Sequence, residues 1–164
     1  MTPTATIERY KKAKKAEKSD YSFLHSMYEM PDRETNEIHN ESELVDLIKS
    51  GFKASYARHF MRYTGLPLDI WAKILPVSKR TLQRELNREK HFFEASLAEP
   101  FIEVGEIYAI GMQAFDNNKD RLNEWLMTQN PYFEGKTPIE IMNTHKGRDL
   151  IKLELTRIEH SEFS

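Results

Sequence analysis

The chain has no cysteine. That excludes disulfides, thiolate nucleophiles and cysteine-held zinc, and it accords with a reducing compartment. No apolar run approaches the roughly 18 residues that a membrane span requires, and the opening "MTPTATIERYKKAKK" lacks the apolar core of a secretory signal. A soluble, cytoplasmic protein with no membrane partner is therefore expected. Glycine is sparse and occurs singly, so neither G-x-G-x-x-G nor G-x-x-x-x-G-K-[ST] can be written, and no phosphate-cradling loop is available. His25, His39, His59, His91, His145 and His160 are scattered, without the i, i+4 spacing that sets two imidazoles on one helical face. No nucleophile with a base and an orienting group is legible. Neither metal, nor cofactor, nor enzymatic activity is expected.

What is present is a chain of 164 residues, 39% of them apolar, enough for one substantial core or two small ones. Its charge is unevenly placed. Residues 1–18 carry six cations against Glu8 and Glu17, residues 78–90 carry five cations against Glu85 and Glu89, and residues 91–164 carry seven cations against thirteen carboxylates. A basic middle beside an acidic C-terminal half suggests two surfaces that meet two different partners.

Periodicity divides the chain. Residues 1–39 show little of it and read as an N-terminal extension, a basic helix with a solvated face followed by a polar linker. From Asn40, Leu44, Leu47, Ile48, Phe52, Tyr56, Phe60 and Tyr63 recur at three and four residues. That spacing predicts one amphipathic helix, capped by Asn40 or Ser42 and ended at Gly65. A short helix "LDIWAKIL" follows. Pro76 cannot continue it, Ser78 can cap the next, and two helices joined by about three residues have helix-turn-helix spacing. In the second of them Leu82 and Leu86 face inward, leaving Lys79, Arg80, Gln83, Arg84, Asn87 and Arg88 outward. Arginine and lysine meet phosphates or guanine edges, glutamine and asparagine can pair with adenine, and a helix fits the major groove, so these six residues are the candidate DNA surface. A module of this size reads two-fold operators as a dimer, expected to assemble through apolar residues of the 43–63 or 97–115 helices.

Beyond Phe93 every pattern is helical: a long helix through Leu97, Phe101, Val104, Ile107, Tyr108, Met112 and Phe115, a break at "DNNKD", then "RLNEWLMTQ" stopped by Asn130-Pro131. Thr137, Pro138 and Glu140 form a capping-box start, and a last helix runs from about Thr144 through Leu150, Ile151, Leu155 and Ile158. Trp125 is expected to anchor the core. The fold class is all-α, organised as an extension (1–39), a helix-turn-helix domain (40–93) and a C-terminal helical domain (94–164).

The order and spacing of Trp125, Leu126, Asn130, Pro131, Gly135, Thr137, Pro138, Thr144, Gly147, Leu155, Arg157 and Ile158 resemble the toxin-binding domain of the Xre/ParS/MbcA antitoxin family. "GLPLDIWAKILPVSKRTLQREL" looks like the Xre-type helix-turn-helix that precedes that domain, so the resemblance covers residues 40–164. The chain departs from the family pattern at Pro76 in the turn, in "SLAEPFIEV", and at Ser161 and Glu162 near its end. The resemblance implies an antitoxin that neutralises a cognate toxin, most often a RES-domain toxin consuming NAD, in a toxin–antitoxin hetero-oligomer, and that represses its own operon by binding operator DNA. It further implies that the C-terminal end covers the toxin's active site. On that expectation Arg157, Glu159, His160, Glu162, Phe163 and Ser164 form the candidate toxin-binding tail, a mobile end offering an apolar anchor with charges around it. A helix-turn-helix regulator with a helical oligomerisation domain and no toxin is the alternative.

Overall fold

The computed structural model describes residues 21, 23–28, 30, 38 and 40–162. The elements are α1 (Phe23–Tyr28), α2 (Glu41–Asp46) running into a π-helical turn (Leu47–Gly51), α3 (Ala54–Thr64), α4 (Leu68–Ile74), α5 (Lys79–Leu86), α6 (Ala95–Ala114), α7 (Lys119–Leu126), a 3-10 turn (Pro131–Phe133), α8 (Pro138–Ile141) and α9 (His145–Glu162). The class is all-α, with no strand among the described residues.

Helix α6 organises the rest. Phe101, Ile102, Val104, Ile107 and Tyr108 are buried on nearly all of its sides, the signature of a helix inside a core rather than on it. Against it stands a chain of aromatic rings: Tyr28 stacked on Phe60 at 4.4 Å, Phe60 edge-on to Trp71 at 5.6 Å, and Trp71 stacked on Phe101 at 5.0 Å. Such pairs add about 0.5–1.5 kcal/mol each beyond the area they bury. Trp71 is wholly buried, and its indole N–H has no hydrogen-bond partner among the described residues.

Local chemistry explains most helix ends. The Asn40 side chain accepts from the Glu43 N–H at 3.0 Å and starts α2, Gly65 ends α3 at φ 71°, and Ser78 accepts from the Thr81 N–H at 3.1 Å to start α5. In α8, Thr137 and Glu140 cap each other reciprocally. The backbone hydrogen bond from Thr137, with help from its side chain, holds the Glu140 carboxyl below its ordinary range.

Two expectations are revised. The helix predicted from Asn40 to Gly65 is broken at Phe52 and Lys53, where the backbone extends to pair with the segment after α5: Ala54 N–H donates to the His91 carbonyl and Phe93 N–H to the Phe52 carbonyl, both at 2.8 Å. The break lets Phe52 enter the core against Phe93 and Phe101, a non-local gain that local periodicity cannot report. Second, part of the N-terminal extension is core. Phe23, Leu24, Met27 and Tyr28 are buried, and the Tyr28 hydroxyl donates to the Phe101 carbonyl at 2.6 Å. A Cβ at Gly105 would fall 2.1 Å from that hydroxyl, so the glycine makes the room. Buried residues of the segments 40–93 and 94–164 lie in one hydrophobic cluster. Asn123 of α7 ties them, accepting from Tyr108 OH at 2.5 Å and donating to the Thr64 carbonyl at 2.9 Å.

Candidate functional site

Two surfaces carry the candidate residues. The first is the outer face of α5. Leu82 and Leu86 are buried as expected, which turns Lys79, Arg80, Gln83, Arg84, Asn87 and Arg88 outward, and all six are exposed on this helix and its C-terminal cap. The cations are partly paired: Lys79 Nζ lies 2.6 Å from Asp69, while Arg84 and Arg88 each lie 3.3 Å from Glu85. Glu85 also meets His91 Nε2 at 2.5 Å. Burial works against ionisation of Glu85, but the hydrogen bond from Arg84 and the charges of His91, Arg88 and Arg84 together hold its carboxyl below the usual range. Glu85 thus anchors the inner flank of α5 to the segment before α6. A second anchor was not legible in the sequence: Arg58 of α3 donates through Nη1 to the Leu86 carbonyl, satisfying one of the carbonyls left open at the end of α5.

Of the apolar residues named for a dimer surface on the long helix, Phe101 and Ile107 are wholly buried within the chain and Met112 is packed against that core. In the 43–63 stretch only Val45, 43% exposed, is a large exposed apolar residue.

The second surface is built by α6 to α9. Buried Glu103 of α6 receives Arg148 Nε and His145 Nδ1 from α9, and Arg148 Nη1 donates to the Met142 carbonyl at 2.9 Å. Lys152 reaches Glu106 at 2.9 Å and Asp149 at 3.2 Å. Burial lowers the Lys152 pKa, but hydrogen bonds and charge from Glu106 and Asp149 outweigh it and leave it raised. These pairs fasten α9 to α6. Among the described residues no group of histidines and carboxylates has the arrangement of a metal site, and no helix is long and apolar enough to cross a membrane.

The residues that carried the family resemblance are mostly architectural. The Asn130 side chain accepts from the Tyr132 N–H at 2.9 Å, Gly135 takes φ 82°, and the Thr144 hydroxyl accepts from the Gly147 N–H at 3.0 Å, capping α9. An ideal Cβ at Gly147 would lie 1.7 Å from the Ile141 carbonyl, so only glycine lets α9 start this close to α8. Trp125 is only partly buried, lying 6.0 Å from Phe115 and 6.2 Å from Phe133, and the fully buried tryptophan is Trp71 instead.

Of the six tail residues, Arg157, Glu159 and His160 lie within α9, which continues to Glu162. Phe163, Ser164 and the side chain of Glu162 lie outside the described residues. Arg157 is no loose end: its Nε and Nη2 donate to the two oxygens of buried Glu154 at 2.7 Å each, and its guanidinium sits 5.7 Å from the centre of the Tyr132 ring. On the same outward face α9 exposes Leu150, which the sequence pattern grouped with Ile151, Leu155 and Ile158, and Leu153, which it did not single out.

Residues 111–160 match the model of the antitoxin Xre/MbcA/ParS C-terminal toxin-binding domain. No curated protein matches the chain.

Proposed function

We propose that the chain is the antitoxin of a toxin–antitoxin pair, that it neutralises a RES-domain, NAD-consuming toxin, and that it represses its own operon through α4 and α5. The toxin-binding domain at residues 111–160 carries the first part. The RES identity rests on the resemblance of residues 40–164. DNA binding is supported by the outward side chains of Lys79, Arg80, Gln83 and Arg84 on α5 and of Asn87 and Arg88 just after it, in a pair of helices joined by residues 75–78. A positively charged helix of this kind gains affinity from phosphates and specificity from base edges. The C-terminal residues Glu159, His160, Glu162, Phe163 and Ser164 complete the reading: carboxylates at the end of the chain compete for the cationic groups with which such a toxin holds an anionic dinucleotide.

Co-purification tests it. A tagged chain expressed from its native operon should retain the product of the neighbouring gene through gel filtration, and the complex or the free antitoxin should shift a fragment of its own promoter. A tagged chain that shifts the promoter but retains no protein partner would favour a helix-turn-helix regulator without a toxin.

A further inference from the structure

The large apolar side chains exposed within residues 111–160 are Met127, Tyr132, Leu150 and Leu153. Leu153, 59% exposed, is the most exposed large apolar residue among those described, and Leu150 lies one turn before it. One turn further on is Arg157. The inner side of the same helix is satisfied elsewhere, with Ile151 and Leu155 buried and Arg148 and Lys152 paired to α6. Leu150, 38% exposed, and Leu153 therefore stand outside the buried core, and the apolar surface they leave in water forfeits the gain that burial would bring.

The border of this apolar stripe is unusually well held. Two hydrogen bonds to Glu154 fix the Arg157 guanidinium, and Tyr132 supports it from the side. Those bonds use two of the five guanidinium N–H donors, and the Arg157 side chain remains 67% exposed. An arginine fixed in this way loses little side-chain freedom on binding, and an arginine and a tyrosine beside an apolar patch is the composition of an interface centre.

We infer that the outward stripe of α9, Leu150, Leu153 and Arg157 with Tyr132, is the face that docks the toxin. This rests on the antitoxin reading and deepens it, because it places most of the affinity on a rigid helix face and leaves the chain end to block the active site. The occupant is a toxin surface with an apolar groove for the two leucines and a carboxylate for the exposed Arg157 guanidinium. The choice of a toxin over a second copy of the chain follows from the position of the stripe inside the toxin-binding domain.

The test uses the full chain and the purified product of the gene beside its own. Leu150→Gln with Leu153→Gln changes two exposed positions, so the melting temperature should stay within a degree or two of wild type. Affinity for the toxin should fall at least about 30-fold, as expected when central anchors are lost. Arg157→Gln, made separately, should weaken binding without altering the oligomer mass. If the wild-type chain binds the toxin and the double variant binds it equally well, the docking face is wrong and the antitoxin reading stands. If the double variant instead lowers the oligomer mass at unchanged toxin affinity, the stripe joins two copies and the inference is overturned. A wild-type chain with no affinity for that protein would overturn the antitoxin reading itself.

Discussion

The hydroxyl of Tyr28 donates to the backbone carbonyl of Phe101 across 73 positions of sequence, inside the centre of the molecule. A residue that precedes every family-like feature thereby pins α6, the helix against which α9 packs. Tyr28→Phe removes only that bond and should cost about 1 kcal/mol in urea unfolding. Tyr28→Ala also empties the ring's place against Phe60 and should cost roughly 3–5 kcal/mol. Equal, negligible effects would mean that α1 is dispensable to the core.

Alkaline pH should loosen the same region. Burial first, and the nearby Glu106 charge second, push the Tyr28 phenol well above its ordinary value. Burial likewise raises Tyr108, with Tyr63 adding to it. A phenol whose pKa is raised in the fold contributes stability that is complete below the unfolded value of about 10 and is lost as the pH climbs from there toward the folded value. Thermal melting should therefore be flat across neutral pH and fall above about pH 10, less steeply in Tyr28→Phe. A fall of the same steepness in that variant would assign the effect elsewhere.

The two tryptophans should separate cleanly. Trp71 is wholly buried within the ring chain, whereas Trp125 is partly exposed between Phe115 and Phe133. Trp71→Ala should cost about 3–5 kcal/mol. Trp125→Ala should cost visibly less, measured side by side by chemical unfolding. The reverse order would restore Trp125 as the main anchor.

What was legible in the sequence was local. The caps at Asn40, Ser78 and Thr137 follow from side chains that bond backbone groups two or three residues away, and the outward set on α5 follows from Leu82 and Leu86 being four apart. What escaped was set by distant partners. The break at Phe52 exists because Phe92 and Phe93 lie opposite it, and Tyr28 is core because Gly105 leaves it space. On α9 apolar residues occur on several sides, so periodicity alone could not tell that Leu150 and Leu153 face out while Ile151 and Leu155 face in.

Operator binding should depend on the exposed face of α5 and on its inner anchors in different ways. Arg80→Ala with Arg84→Ala should weaken operator affinity by about 1–3 kcal/mol for each arginine that reads a base, with melting unchanged. Arg58→Met frees the Leu86 carbonyl and should lower both stability and operator affinity. A gel-shift titration at fixed salt decides. Full affinity in the double variant would remove α5 as the DNA surface.

The central claim is that this chain neutralises a toxin, and growth rescue measures that most directly. The neighbouring gene, induced alone, should arrest growth, and co-expression of the full chain should restore it. A chain ending at Ser161, which keeps nearly all of α9, should still co-purify with the toxin but protect poorly. Continued arrest in the presence of the full-length chain, at expression matched to the toxin, would contradict the account.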